Sequence, residues 1–464
     1  MPKSAGKIAR FILRWTIAVV GVAWVVSNIH MSDRVHYVDE NDQLHEATLV
    51  EKATESDPFF VILDPKSGVP IRIDRSRTLS DPDRKIVLDN RASPPDEIPL
   101  LGMQLASNPS GMIYAERLFV QKNGRGEWLD PGDVAGGFVV DLPQPRVQEG
   151  VQTMVAKADR KLLIGAVAVL PLTYLFTTFR WHQLLKVLGI FIPLSRAFVL
   201  NMVGSFYNTF MLGSTGGDVL KAYYAAKQAP TRRTAAVMSV IVDRAIGLLA
   251  LVILGGSMAA MQYATAEDRS DPVARRCLQV AIGAAVLLSG TLVFSMVVYW
   301  SGLRRALGLN ALVARVPMQT QVQKIIEVVR LYRERPALMF WAVLMTFPVH
   351  LTVVVSAMLA GKAFGLPISS SYYFIVVPVV VLVGAIPLSP QGAGVMEAFA
   401  FYLTRGEGVT VNQALALTMS IRLVGMFWNL LGGLFVFRGG YHTPTEKEQS
   451  ELVCDDAIGV ISKE

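Results

Sequence analysis

The sequence predicts an α-helical polytopic membrane protein, built as an inverted repeat with two re-entrant broken-helix hairpins and carrying a small β-rich extracytoplasmic domain. Three observations lead to this fold class. Hydrophobic residues make up 52% of the 464 residues and charged residues only 17%, too little polar surface for a soluble globule of this size. Apolar runs of membrane-crossing length recur along the chain. One motif recurs 176 residues after its first occurrence.

The net charge of +7 does not indicate a nucleic-acid partner, because Lys and Arg lie in short clusters beside apolar runs, as in cytoplasmic membrane loops. The two cysteines, Cys277 and Cys454, are far apart and suit neither a disulfide framework nor a zinc site. We therefore predict no metal and no cofactor.

The N-terminal region divides into a helix and a polar domain. Residues 1–29 contain an apolar run preceded by Lys3, Lys7 and Arg10, without a small-residue cleavage site, which predicts a retained transmembrane helix with a cytoplasmic N-terminus. Residues 30–157 alternate strand-like stretches such as "PFFVILD" and "VPIRIDR" with turns such as "SPPD" and "NGRG". They are expected to form the β-rich extracytoplasmic domain.

Charge placement sets the topology of the transmembrane domain, residues 158–440. If every later apolar run crossed the membrane, the basic stretch 301–335 would lie outside, against the positive-inside rule. The conflict disappears if 197–228 enters and returns on the cytoplasmic side and 372–405 on the outer side. The chain then crosses the plasma membrane six times, with both termini, including the tail 441–464, in the cytoplasm.

The recurring motif aligns "LGSTGGDVLKAY" at 212–223 with "LSPQGAGVMEAF" at 388–399. The repeat halves, about 160–262 and 337–437, begin on opposite sides of the membrane because a single helix separates them. Inverted repeats with discontinuous helices are typical of secondary transporters. The pairs Gly255-Gly256 and Gly432-Gly433 also recur, and we interpret these four as plain helix-packing positions.

Each broken segment carries candidate binding residues for substrate. In the first these are Gly216, Gly217, Asp218 and Lys221, and in the second Pro387, Gly392, Gly394 and Glu397. Helix breaks leave backbone N–H groups unpaired and direct a positive dipole end inward, which suits an anionic headgroup. The alternative is that Asp218 only caps a helix and Lys221 extends to the membrane interface.

Three further charges, Asp243, Arg244 and Arg422, lie within apolar helices, where a charge is costly unless it is paired or faces a cavity. Adjacent helical residues point about 100° apart, so Asp243 cannot pair with Arg244. We expect Arg244 to pair with Asp218 and Arg422 with Glu397. These pairs could bind a headgroup, or they could be structural ion pairs that hold each hairpin against the following helix.

The segments "GGDVLKAYY", "AAVMSVIVDRAIGLLAL" and "IPLSPQGAGVMEAFAFYL" resemble the transmembrane region of lysylphosphatidylglycerol synthases, a flippase-like family of bacterial or archaeal membrane proteins. The resemblance covers about 160–437. It implies that the hairpin motifs line a lipid-handling cavity, as in synthases whose membrane part moves an aminoacylated phospholipid between leaflets. The residues that match the family motifs are Gly217, Asp218, Asp243, Arg244, Gly392, Gly394 and Glu397.

The chain departs from this family in having Lys221 where members often have Arg, and in a C-terminal tail with no room for the soluble aminoacyl-transferase domain. We therefore expect no lysyl-lipid synthesis. The leading hypothesis is a flippase or transporter for a lipid with an anionic or zwitterionic headgroup. Two alternatives remain, a membrane-embedded transferase acting on a lipid and an envelope-binding scaffold, while no Walker, GxSxG or HExxH motif supports an enzyme. The oligomeric state stays open.

Overall fold

The computed structural model describes the following residues: 16, 19–21, 23, 25–27, 29–52, 57–65, 67–80, 84–87, 97–107, 113–122, 125–134, 146–210, 216–269, 271–299, 332, 334–386, 389–405 and 407–442. Four features predicted from the sequence fall wholly or mostly outside them. These are Pro387, most of residues 1–29, the tail beyond residue 442, and the basic stretch 301–335, of which 332, 334 and 335 alone are described.

The N-terminal polar region folds into antiparallel strands, as the alternating stretches predict. One sheet has the order β10-β1-β2 with β5 beside β1, a hairpin pairs β3 with β4, and a third sheet has the order β6-β7-β8-β9. Val35, Phe60 and Ile62 are fully buried between the first sheet and the hairpin. The strands are β1 Arg34–Val38, β2 Leu44–Thr48, β3 Phe59–Leu63, β4 Pro70–Asp74, β5 Thr78–Leu79, β6 Arg84–Val87, β7 Glu97–Ser107, β8 Ile113–Lys122, β9 Arg125–Leu129 and β10 Val147–Gln148.

Helices make up the remainder of the described chain. Within it, five stretches are long and apolar enough to cross a membrane: Arg160–Val187, Pro230–Thr265, Pro272–Val297, Pro336–Ala363 and Val411–Gly439. The helices are α1 Val151–Lys157, α2 Arg160–Val169, α3 Pro171–Val187, α4 Leu194–Phe210, α5 Gly216–Gln228, α6 Arg233–Thr265, α7 Pro272–Tyr299, α8 Pro336–Leu344, α9 Thr346–Ala363, α10 Tyr373–Ala385, α11 Val395–Thr404, α12 Val411–Leu431 and α13 Gly433–Gly439. The protein is therefore a multi-pass membrane protein.

Corresponding helices in the two halves begin and end at the spacing of the sequence repeat. The stretch α2–α3 runs from Arg160 to Val187, and α8–α9 runs from Pro336 to Ala363, 176 residues later at both ends. Each is followed by a glycine in the left-handed region, Gly189 at φ 66° and Gly365 at φ 69°. Such glycines end helices because they adopt positive φ without a Cβ penalty.

The N–H of Asp159 donates to the carbonyl of Ala363, so α2–α3 and α8–α9 are antiparallel, and two further sets of contacts lie at opposite ends of the helical bundle. At one end, Tyr332 donates to the carbonyl of Leu184 at 3.3 Å, and Tyr224 donates to the carbonyl of His442 at 2.8 Å. At the other end, Tyr372 donates to the carbonyl of Leu403 at 2.7 Å. The segment α10–α11 thus starts and finishes at the same end, the opposite one from the finish of α5.

The domain formed by strands β1–β10, called the β domain below, is hydrogen-bonded to the helices at both of its ends. The buried side chain of Asn412, in the first turn of α12, accepts from the backbone N–H of His30 at 3.1 Å. Its amide donates to the carbonyls of His30 at 3.0 Å and Glu149 at 2.9 Å. Both chain connections to the domain therefore meet at one residue.

The recurring glycine pairs are packing positions, as predicted. Gly255 lies against Pro378 of α10 and Gly256 against Ala284 of α7, while Gly432 meets the backbone of Met202 and Gly433 the ring of Phe206. The long helix of each half thus packs against the broken segment of the other half.

Candidate functional site

The first predicted ion pair is present. The Nη1 atom of Arg244 contacts Oδ2 of Asp218, and about a quarter of each side chain stays exposed. Asp218 lies in the first turn of α5, where the positive helix end favours a carboxylate. The pair joins the broken segment to α6.

Asp243, one residue before Arg244, faces a different direction and contacts two cations. Arg180 of α3 donates from Nε to Oδ1 of Asp243 at 2.8 Å, and Nζ of Lys221 lies 3.5 Å from Oδ2. Arg180 also donates to the hydroxyl of Thr346 at 2.7 Å. All three charged side chains are buried, which is sustainable in a membrane protein only with such mutual pairing.

Lys221 does not extend to the membrane interface, so that interpretation of its charge is wrong. It is 4% exposed, donates to Oδ1 of Asn201 at 3.1 Å, and places Nζ 4.1 Å from the ring centroid of Trp181. Trp181, which resembles an interfacial aromatic in sequence, is 0% exposed and donates to Ser239. The indole of Trp181 therefore lies in the core, with its ring face against the ammonium group of Lys221.

The predicted glycines of the first segment lie at the start of a helix. Gly216 and Gly217 form the first turn of α5. A Cβ atom at Gly217 would overlap the carbonyl oxygen of Gly204 in α4. The N–H of Gly217 donates to Oδ1 of Asn208 at 2.7 Å. Gly217 thus permits close approach of α4 and α5.

In the second segment, positive φ angles produce the turn between α10 and α11. Gln391, Gly392 and Gly394 have φ of 49°, 71° and 83°, a conformation that favours glycine. A Cβ atom at Gly392 would come 2.6 Å from the Cα of Gly384, and one at Gly394 would overlap Gly21 of the N-terminal helix. The predicted glycines are therefore required at these positions.

The second predicted ion pair is also present. Oε2 of Glu397 accepts from the N–H of Gly394 at 2.7 Å, and Oε1 lies 2.8 Å from Nη2 of Arg422. Glu397 is completely buried, whereas Arg422 retains 13% exposure. The carboxylate thus fixes the start of α11 and joins it to α12.

The two broken segments meet. The side-chain amide of Gln391 donates to the carbonyl of Thr209, near the end of α4, at 2.8 Å. The contact between these two residues could not be predicted from the sequence, because a hydropathy pattern does not indicate which segments 182 residues apart lie together. The contact brings the turn after α10 beside the C-terminal turn of α4.

Arg180 is the charged residue that sequence reasoning missed. The apolar run in the sequence spans about 162–178, which predicts Arg180 as a flanking charge, yet α3 continues to Val187. The stretch 179–186 contains no Gly or Pro, and this lack of a helix breaker is the signal that could have placed Arg180 inside the helix. With Arg180 included, three cations face two carboxylates around the first segment: Arg180, Lys221 and Arg244 against Asp218 and Asp243.

The described residues contain no group of three or more His, Cys, Asp or Glu side chains that could hold a metal ion. An apolar cavity of about 330 Å³ lies between α6, α7, α10 and α11 and is lined by side chains such as Leu251, Ala284 and Phe399.

Comparison with known families connects this geometry to one of them. The model of the lysylphosphatidylglycerol synthase TM region matches residues 148–433, more than half of the chain. The chain belongs to this family. The match begins at β10 and includes both broken segments and both ion pairs. A comparison with curated proteins found no match.

Proposed function

We propose that this member of the lysylphosphatidylglycerol synthase TM family moves a lipid, or a lipid-linked amphiphile, between the two leaflets of the plasma membrane. One observation carries the proposal: two broken segments that contact each other each hold a charged pair with the next long helix. Charged residues at membrane depth mark substrate pathways, and irregular backbone is tolerated there beside protein or a wet cavity.

The transport cycle we propose uses an inverted repeat. The segments α4–α5 and α10–α11 are re-entrant hairpins that open to the cytoplasm and the outside, with six crossings, cytoplasmic termini and an extracytoplasmic β domain. The common helix spacing of 176 residues and the opposite ends at which the two segments finish support this arrangement. Alternating exposure of the two halves would then move the headgroup past the contact between Gln391 and Thr209.

The substrate class follows from charge. Three cations against two carboxylates leave an excess positive charge around the first hairpin, which favours an anionic or zwitterionic headgroup. In the proposed site, Gly216, Gly217, Asp218, Lys221, Asp243 and Arg244 serve the first hairpin, and Pro387, Gly392, Gly394, Glu397 and Arg422 the second.

The test is lipid translocation in proteoliposomes that contain headgroup-intact phosphatidylglycerol or phosphatidylcholine labelled on the acyl chain, with outer-leaflet label destroyed by a reductant that does not cross the membrane. Transport is expected for at least one lipid. Arg244→Gln should slow it about tenfold, since removing one partner of this partly buried charge pair costs about 1–2 kcal/mol. Arg438→Gln, at an exposed helix end, is the matched control. Folded protein that moves neither lipid would overturn the proposal.

A further inference from the structure

Glu397 has fewer cationic partners than Asp243, the other buried carboxylate among the described residues. Asp243 accepts from Arg180 and lies within ion-pair distance of Lys221 as well. Glu397 accepts a hydrogen bond at Oε2 from Gly394, but its Oε1 atom, although 2.8 Å from Arg422, lacks a partner with hydrogen-bond geometry. A single contact with one cation, Arg422, therefore compensates the fully buried negative charge of Glu397.

Arg422 depends equally on Glu397. Its Nη1 atom lies 3.7 Å from the sulfur of Met419, and its Nη2 atom lies 3.7 Å from that of Met396. Thioether sulfurs are weak acceptors, and the buried Nε atom has no hydrogen-bond partner. The carboxylate of Glu397 is thus the strong acceptor that the structure places against this guanidinium.

The charged or titratable side chains of α4 and α9, the two other helices packed against α12, are bound elsewhere. His350 of α9 lies 2.9 Å from the carbonyl of Gly247, Lys362 of α9 donates to Ser370, and Arg196 of α4 lies over the ring of Tyr441.

The helix α10 and the described residues of the N-terminal helix contain no Asp, Glu, Lys, Arg or His. Arg422 is the one charged residue of α12, and Glu397 that of α11. The pair is a neutral unit in apolar surroundings, so a proton added to Glu397 leaves the charge of Arg422 uncompensated.

We infer that Glu397 is a proton-binding site that exchanges its hold on Arg422 for the headgroup of the substrate, an inference that rests on the proposed function. A proton from water adds to the carboxylate and gives a neutral carboxylic acid. The ion pair with Arg422 breaks, and the guanidinium binds one negative charge of an anionic headgroup. Proton and anion bind and leave together, so the site keeps its net charge and a proton gradient can drive transport.

A purely structural role for Glu397 can be separated from this one by Glu397→Gln. The glutamine amide oxygen can still accept from the N–H of Gly394, so the start of α11 is retained while the side chain no longer titrates. Glu407→Gln, which neutralises a carboxylate in the loop before α12, is the matched control.

The experiment adds short-chain phosphatidylglycerol to the purified full chain in detergent, with a pH-sensitive dye in weakly buffered solution. We expect uptake of about one proton per lipid bound, because linkage between the two ligands is reciprocal. The uptake should be lost in Glu397→Gln and kept in Glu407→Gln. Lipid binding without proton uptake, or unchanged uptake in Glu397→Gln, would overturn the inference and leave the proposed function standing.

If short-chain phosphatidylglycerol does not bind, the proposed function is decided by the proteoliposome assay, and proton binding by Glu397 is measured without lipid. Infrared difference spectra over a pH titration should then contain a protonated carboxyl band that is missing from Glu397→Gln. If wild-type protein and this variant give the same carboxyl bands, Glu397 does not titrate and the inference falls.

Discussion

Arg180 donates a hydrogen bond from Nε to Oδ1 of Asp243 at 2.8 Å, and this contact ties α3 to α6 inside the bundle. Lys221 approaches the second oxygen of the same carboxylate at 3.5 Å. Asp243 thus lies between two buried cations, and the three charges are not equivalent.

Asp243→Asn should destabilise the protein more than Arg180→Met. The first change leaves two buried cations near each other with no carboxylate between them, at a cost of about 3–5 kcal/mol. The second leaves Lys221 to compensate Asp243, so the loss should be smaller. Unfolding by detergent titration, followed by circular dichroism, measures both. Equal losses for the two variants would mean that Lys221 contributes nothing to holding Asp243.

Both inter-helix ion pairs could be predicted from the sequence because two constraints act together. A lone charge within an apolar helix requires a partner, and in each half the segment before the arginine contains a carboxylate, Asp218 before Arg244 and Glu397 before Arg422. The strands of the polar region were likewise predictable, since alternation and turn residues are local signals.

The network around Asp243 was not predictable to the same degree. Its members come from α3, α5 and α6, and no local pattern specifies which helices adjoin. Trp181 illustrates the difficulty, because a tryptophan beside an arginine and a histidine has the composition of a membrane interface, yet packing encloses it completely. Gly217 is similar, since its close approach to Gly204 is a property of tertiary packing.

Gly217→Ala should destabilise the contact between α4 and α5, because the added methyl group overlaps the carbonyl oxygen of Gly204. Overpacking of this kind costs about 1–3 kcal/mol. Gly425→Ala is the control, because a Cβ atom at Gly425 has nothing within 4 Å and alanine favours the helix. Thermal unfolding should show a lower midpoint for Gly217→Ala alone. A Gly217→Ala variant as stable as Gly425→Ala would contradict the close approach.

The β domain should lose stability in acid through Asp39. The backbone N–H of Gln43, with the imidazole of His45 and the N–H of Asn41, holds the pKa of this carboxyl below its ordinary value. The unfolded chain therefore binds the proton more readily, so the stabilisation exists at neutral pH and disappears as pH falls through the folded-state pKa. Asp39→Asn should lower the unfolding midpoint of the full chain at neutral pH and flatten its dependence on pH in acid. A parallel pH profile for variant and wild type would count against this.

Asn412→Leu should weaken the attachment of the β domain to the first turn of α12. The substitution removes the acceptor for the N–H of His30 and the donor to the carbonyls of His30 and Glu149, at a cost of about 1–3 kcal/mol for the backbone groups left unpaired. The junction before α2 should then open more often, so trypsin should cleave after Lys157 faster than in wild type. Asn429→Leu is the matched control, because it removes the hydrogen bond from Tyr174 near the other end of α12 and leaves the junction intact. Equal cleavage at Lys157 in both variants would mean that Asn412 contributes only general stability, since loss of the anchor predicts faster cleavage in Asn412→Leu alone.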